Sequence, residues 1–251
     1  MPELDLTNEI NIAIKAALTS GKYLKKNKIE LNKTASSDPR DTKLEADIAS
    51  ENLIKKIINE SSNYEILAEE SGKSSENLGS VFWVVDPLDG TANYNRDIPI
   101  CCVSIGMVKN MKPLFGVIYD FNSDEIYCGD CINKVATLNN SPIQVSTVGD
   151  KKDGVLITGL PFNTDYSDTS LKNLINDMQS WKKTRMIGSA AMASCYIASG
   201  KAEVYREKGI YLWDILAGAA IVEAAGGSAE IKNVRDNYQV DVIFSNSYIK
   251  G

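Results

Sequence analysis

Asp86 and Asp89 stand three residues apart in "WVVDPLDGT" (83–91), where a hydrophobic run ends. Like charges that close raise each other's pKa, and partial burial adds a desolvation cost. Two devices offset such a cost. One is a Pro-containing turn in which Asp86 caps local N–H groups and Asp89-Gly90 reverses the chain. The other is a hard divalent cation (Mg2+, Mn2+ or Ca2+) held by the carboxylates and a backbone carbonyl of the turn. Further acids occur in similar settings. Glu69 and Glu70 lie in "AEES" (68–71) behind a strand-like run. Asp214 opens the helical run of "LWDILAGAAIVEAAGG" (212–227), where an Asp also serves as a helix cap. Asp47, inside "KLEADIASE", reads most simply as a polar helix residue.

Two absences narrow the chemistry. The 251 residues include 0 histidines, which removes His-activated nucleophiles, His general bases and the usual zinc site. The net charge is −6, so no nucleic-acid surface is expected, and an anionic substrate needs a local source of positive charge. Hydrophobic residues at 43% and charged residues at 24% are ordinary for a soluble globular protein. No apolar run reaches the roughly 20 residues of a membrane span, and no basic stretch leads into an apolar core at the N-terminus. The five cysteines (101, 102, 128, 131 and 195) are an odd number, which fits a reduced, cytoplasmic setting. "CGDC" (128–131) is a lone CxxC and reads as structural.

These acids must be positioned by alternating elements. Residues 4–28 have the period of an amphipathic helix, with Ile10, Ile14, Ala17, Leu18 and Leu24 on one face. "LNKTASSDPRDTK" reads as a mobile loop, in which Arg40 and Lys43 offer charge to a phosphate or simply face solvent. A second helix follows, with Ile54, Ile57 and Ile58 buried. "YEILAEE" and "SVFWVVD" read as strands, and 98–130 as an antiparallel meander. The second half alternates strands ("GVLITGL", "AEVYR", "VDVIFSN") with helices near 168–181, 189–199 and 214–225. Trp83 and Trp213 are expected as core anchors. The pattern predicts an α+β fold with subdomains at 1–142 and 143–251.

In this order and context, "AEES", "WVVDPLDGTANY", "IGSAA" and "LWDILAGAAIVEAAGG" resemble the signature segments of the inositol monophosphatase family. The resemblance implies an α/β/α/β/α sandwich of the sugar-phosphatase type and a Mg2+-dependent phosphatase with two or three ions. It makes Glu69 (with Glu70 as the lesser choice), Asp86, the Leu88 carbonyl, Asp89 and Asp214 metal ligands. Thr91 and Asp47 orient and activate water; Gly90 and Thr91 offer backbone N–H groups to the phosphate. Gly188, Ser189, Ala190 and Glu207 line a polyol pocket. The implied substrate is a small phosphorylated metabolite, foremost inositol monophosphate, with fructose 1,6-bisphosphate and 3′-phosphoadenosine 5′-phosphate as alternatives; Arg185 or Arg206 would then meet a second phosphate. A homodimer paired through the apolar meander is expected, without nucleic acid or membrane. The rival reading is a regulatory binding protein that keeps the fold without the chemistry. One departure stands out: the family usually has Thr three residues before Asp47, and this chain has Leu44.

Overall fold

The computed structural model describes residues 6–37, 42–160 and 165–249. The chain opens with α1 (Thr7–Lys26), which buries Ile12, Ala13, Ala16, Ala17 and Leu24, and the single turn α2 (Lys28–Leu31). The polar stretch after it is not the loop its composition predicts. Over its described parts it pairs as an antiparallel hairpin, β1 (Thr34–Ser37) with β2 (Thr42–Leu44). Strand pairing uses backbone groups that leave no hydropathy pattern, so a polar hairpin is invisible to periodicity. Arg40 lies outside the described residues. Then comes α3 (Glu45–Asn59), with Ile54, Ile57 and Ile58 buried.

An eight-stranded sheet follows, made by β3 (Ile66–Ala68), β4 (Gly72–Lys73), β5 (Val81–Asp89), β6 (Cys102–Lys109), β7 (Lys112–Asp120), β8 (Glu125–Asp130), β9 (Val135–Leu138) and β10 (Ser141–Pro142). The helix α4 (Thr91–Asn95) interrupts it after β5. β5 is buried from Phe82 to Asp89, pairing parallel to β3 and antiparallel to β6. Its acidic C-terminal end therefore lies inside the molecule. The short partners β9 and β10 are outside the elements the sequence predicts.

The remaining elements are β11 (Val155–Thr158), α5 (Asp168–Gln179), β12 (Lys183–Arg185), α6 (Ala190–Ala198), β13 (Val204–Tyr211), α7 (Leu212–Ala224), β14 (Ser228–Lys232) and β15 (Gln239–Ser245). The five strands form a second sheet in the order β12-β11-β13-β15-β14. β13 runs on through "REKGIY", beyond the predicted "AEVYR", because β15 pairs with it as far as Tyr211. α1 and α3 pack on one face of the first sheet, while α6 and α7 lie between the two sheets. α5 attaches beyond the second sheet, where Arg206 pairs with Asp177. The layering is α/β/α/β/α.

What seats α7 is a row of glycines. Gly106, Gly116 and Gly129 face one another across β6, β7 and β8. A Cβ on Gly116 would fall inside the Ala217 carbonyl, and one on Gly129 inside the Ile221 backbone. The helix "ILAGAAIV" answers with its own small residues and comes down nearly onto the sheet backbone. Gly116→Ala is expected to destabilise the protein by about 1–3 kcal/mol through overpacking. A denaturant midpoint unchanged from wild type would show that α7 shifts freely.

Two expectations change here. Trp83 is fully buried against Phe115, but Trp213 is only half-buried and stacks on Tyr211 at 4.6 Å. The buried side of α7 starts from Leu212, Ile215 and Leu216, and Trp213 packs against that core from its margin. The strands β6 and β7 offer no open apolar face for pairing with another chain, since helices of the same chain cover both sides.

Candidate active site

Asp86 lies within the buried part of β5 at 1% exposure, and its Oδ1 accepts the Leu88 N–H at 3.0 Å. That is the Pro-containing turn anticipated above, so the turn reading holds locally. The turn does not satisfy the charge. Burial holds the Asp86 carboxyl well above the usual range, and Glu69, Asp89 and Asp214 each push it further up. Asp214 is raised by burial and then by Glu69 and Asp89. Four acids from the ends of β3, β5 and α7 thus lie near enough to repel one another.

Asp214 is the third residue of α7 and accepts the Tyr211 N–H at 2.9 Å, closing the first turn of that helix rather than sitting at the cap itself. Asp89, at 8% exposure, is raised by burial but is also well supplied with donors. Ser189 Oγ bonds its Oδ2, Ala191 N donates to that oxygen at 3.0 Å, and Ala190 N donates to Oδ1 at 3.3 Å. Ser189 and Ala190 were expected in a polyol pocket. In the structure they bind Asp89, because the free N–H groups and positive end of α6 attract the nearest carboxylate. Cys102 Sγ also approaches Asp89, at 3.7 Å, a contact without sequence signature.

Asp47 is 1% exposed at the start of α3. Its Oδ2 accepts the Leu44 N–H at 2.7 Å and its Oδ1 accepts Thr91 Oγ1 at 2.9 Å. The Leu44 contact is made by its backbone N–H and does not depend on the side chain at that position. The Leu88 carbonyl lies 3.0 Å from the same Thr91 hydroxyl, whose single proton has two acceptors in reach. Gly90, at φ 86, turns the chain into α4, and a Cβ there would meet the Ile100 carbonyl at 2.7 Å.

Gly188 is exposed, with φ +70. It is held by Asn93, whose Nδ2 donates to the carbonyls of Ile100 and Ile187 at 2.8 Å and of Gly188 at 3.2 Å. Asn93 was legible only as part of "TANY". Glu207 receives the Tyr205 hydroxyl at 2.9 Å and crowds Gly159; burial raises its carboxyl, and Asp89 adds to that. Arg206 is turned away to Asp177, and Arg185 donates to the Thr184 carbonyl at 3.0 Å. Lys43 pairs with Glu70. Of the paired acids, Glu69 therefore faces Asp86 and Glu70 does not.

Among the described residues, no three His, Cys, Asp or Glu side chains converge closely enough in this geometry to grip one ion. The donor set nevertheless suits a hard cation. It consists of carboxylates and a carbonyl, with no sulfur or imidazole, and the acids raise one another's pKa as unneutralised anions do. Cys128 and Cys131 are free thiols, pushed up by burial to about 11 and about 12 respectively, which suits structural roles. A cavity of about 690 Å³ lies near Thr158, Arg206, Lys208 and Asp241; its lining includes Glu207 but none of the four acids. No helix among the described residues is long and apolar enough to cross a membrane.

The five layers and the acidic cluster at their centre define the sugar-phosphatase class of folds. The sequence profile of the inositol monophosphatase family matches residues 5–236, and the chain belongs to that family. It is 36% identical over 191 residues to inositol-1-monophosphatase of Synechocystis sp., covering 73% of this chain and 64% of that protein. It is 35% identical over 222 residues to the Nus factor SuhB of Xylella fastidiosa, covering 87% of this chain and 80% of that protein. Its structure is similar to an inositol monophosphatase from Anabaena (Nostoc) sp., with TM-score 0.83 and 32% identity over 97% of this chain and 92% of the other.

Proposed function

We propose that the chain is a Mg2+-dependent phosphatase of small phosphate monoesters, foremost inositol monophosphate. The observation behind this reading is the group of four mutually repelling acids beside the Thr91–Asp47 pair. Glu69, Asp86, the Leu88 carbonyl, Asp89 and Asp214 would hold two or three ions. Bound there, the ions supply a lowered water pKa and charge to neutralise the phosphate and its leaving oxygen. Asp47 fixes the Thr91 hydroxyl; with its proton on the Asp47 side, Thr91 Oγ1 accepts from a water and aims a lone pair of that water at phosphorus. The backbone N–H groups of Gly90 and Thr91 open toward the phosphate oxygens. No histidine is needed in any role.

Thr91→Ala is expected to lower kcat by about 10²–10⁴-fold, with little change in Mg2+ affinity, since positioning a proton acceptor is worth about that much. Steady-state kinetics across Mg2+ concentrations check this. Near-normal kcat would leave Thr91 as a helix-start residue only.

Substrate choice rests on Glu207 and the two arginines. A carboxylate accepts from vicinal hydroxyls and repels a second phosphate, and both candidate arginines have other partners. Glu207→Gln is expected to raise KM for inositol monophosphate, at a cost of about 1.5–3 kcal/mol, while sparing a small generic ester. A panel of inositol monophosphate, fructose 1,6-bisphosphate and 3′-phosphoadenosine 5′-phosphate is the direct test. Preference for either bisphosphate would reject the polyol reading.

The similarity to proteins named Nus factor SuhB favours a second reading, a regulatory binding protein on the same fold. The retained acids weigh against a chain that has lost its chemistry, and Mg2+-dependent phosphate release separates the two. We also propose a cytoplasmic homodimer, from the family likeness; a sedimentation mass near 27.5 kDa would exclude the dimer.

A further inference from the structure

We propose that Lys43, Glu51 and Glu70 form a clamp that positions Glu69 at the acidic centre and ties it to the Asp47–Thr91 pair. This rests on the phosphatase reading above. Glu69–Ser71 form the turn between β3 and β4, strands of only 3 and 2 residues at the edge of the first sheet. β3 is buried, but the turn and the two-residue β4 beyond it provide little packing of their own, whereas a metal ligand must stay within about 0.5 Å of its working place. Polar contacts supply the missing constraint. Glu69 N donates to the Val85 carbonyl at 3.1 Å, beside Asp86. Glu70 N donates to Glu51 Oε2 at 2.8 Å, an acceptor carboxylate on α3 that is 3% exposed. Lys55 Nζ lies 3.7 Å from Glu51 Oε1 and donates to Ser71 Oγ at 2.8 Å. The side chain of Glu70, 9% exposed, pairs with Lys43 on β2.

Lys43 is followed by Leu44, whose N–H holds Asp47. One end of the hairpin therefore grips both halves of the site: through Lys43 the turn with Glu69, and through Leu44 the carboxylate that orients Thr91. Lys43 and Glu70 are accordingly positioning residues, neither ligands nor phosphate contacts.

Charge and position make opposite demands on the test. Removing Lys43 alone leaves an extra anion near the cluster and tightens cation binding by Coulomb attraction. The variant of choice is therefore Lys43→Met/Glu70→Gln, which deletes the pair without changing net charge, with the swap Lys43→Glu/Glu70→Lys as its rescue. Two readouts are independent of turnover. Hydrogen exchange of the Glu70 amide in the metal-free protein is expected to quicken at least tenfold in the neutral pair. The Mg2+ Kd from calorimetry is expected to rise about 10-fold, as outer contacts to metal ligands typically cost about 10–100-fold. The swap should bring both to within about threefold of wild type. Unchanged exchange, an unchanged or tighter Kd, or a swap no better than the neutral pair overturns the clamp. Wild-type protein that binds Mg2+ but releases no phosphate sinks the phosphatase reading and leaves the clamp standing. Wild-type protein that binds no Mg2+ sinks both.

Discussion

Asp86→Asn lowers phosphate release by at least about 10²–10³-fold, the usual loss when one preorganised electrostatic element is removed from a reacting centre. The same variant melts higher than wild type when both are free of metal at neutral pH. Asp86 has three like-charged neighbours in the site, Glu69, Asp89 and Asp214, all raising its carboxyl after burial has done so. The amide keeps an oxygen for the Leu88 N–H and adds a donor for Glu69. It removes the buried charge and its repulsions, so the fold gains what the chemistry loses. Paired phosphate-release assays and melting curves in chelator check both halves. Wild-type turnover, or a lower melting temperature without metal, contradicts the assignment of Asp86 to a cation. Asp214→Asn should behave likewise, since burial, Glu69 and Asp89 raise Asp214 too.

The second large effect is a stability that depends on pH and Mg2+ together. Asp86, Asp89 and Asp214 all have folded-state pKa values raised above the ordinary carboxylate range, chiefly by burial. The metal-free folded protein therefore binds protons that the unfolded chain has released. Its stability is fully present below the unfolded carboxylate pKa of about 4 and declines as pH rises through the higher folded values. Each group contributes up to about 1.4 kcal/mol per pH unit within its window. Exposed carboxylates pull the other way on acidification, so the signature is the difference between wild type and Asp86→Asn. Mg2+ replaces the protons and removes the slope. At about 100 times its Kd it adds about 2.7 kcal/mol, or roughly 5–10 °C in Tm for a chain of this size. Melting curves from pH 4 to 8, with chelator and with Mg2+, decide it. A metal-free wild type that stabilises, relative to Asp86→Asn, as pH rises would mean that these acids find other partners in solution.

The acids themselves were legible in the chain: strand-like runs ending in Glu69 and Asp86, an Asp-Gly turn, and an Asp opening a helix of small residues. So were the absence of histidine and the order of helices and strands, because burial imposes period 2 or 3.6 on the residues. The segments "WVVDPLDGTANY" and "LWDILAGAAIVEAAGG" sufficed for the family, since a turn and a close-packed helix tolerate few residue types. What the chain alone left open were pairings across long separations. Nothing near Gly106, Gly116 or Gly129 reveals that they align across three strands to seat α7 and so place Asp214 by Asp86. Nothing in "IGSAA" reveals that its N–H groups point at Asp89. The polar hairpin depends on backbone pairing, and the pairing of Glu70 with Lys43 on β2 joins residues that the sequence keeps far apart. Residue types and local periodicity record what each element buries; which charges meet depends on register and helix seating, and those exist only once the layers have packed.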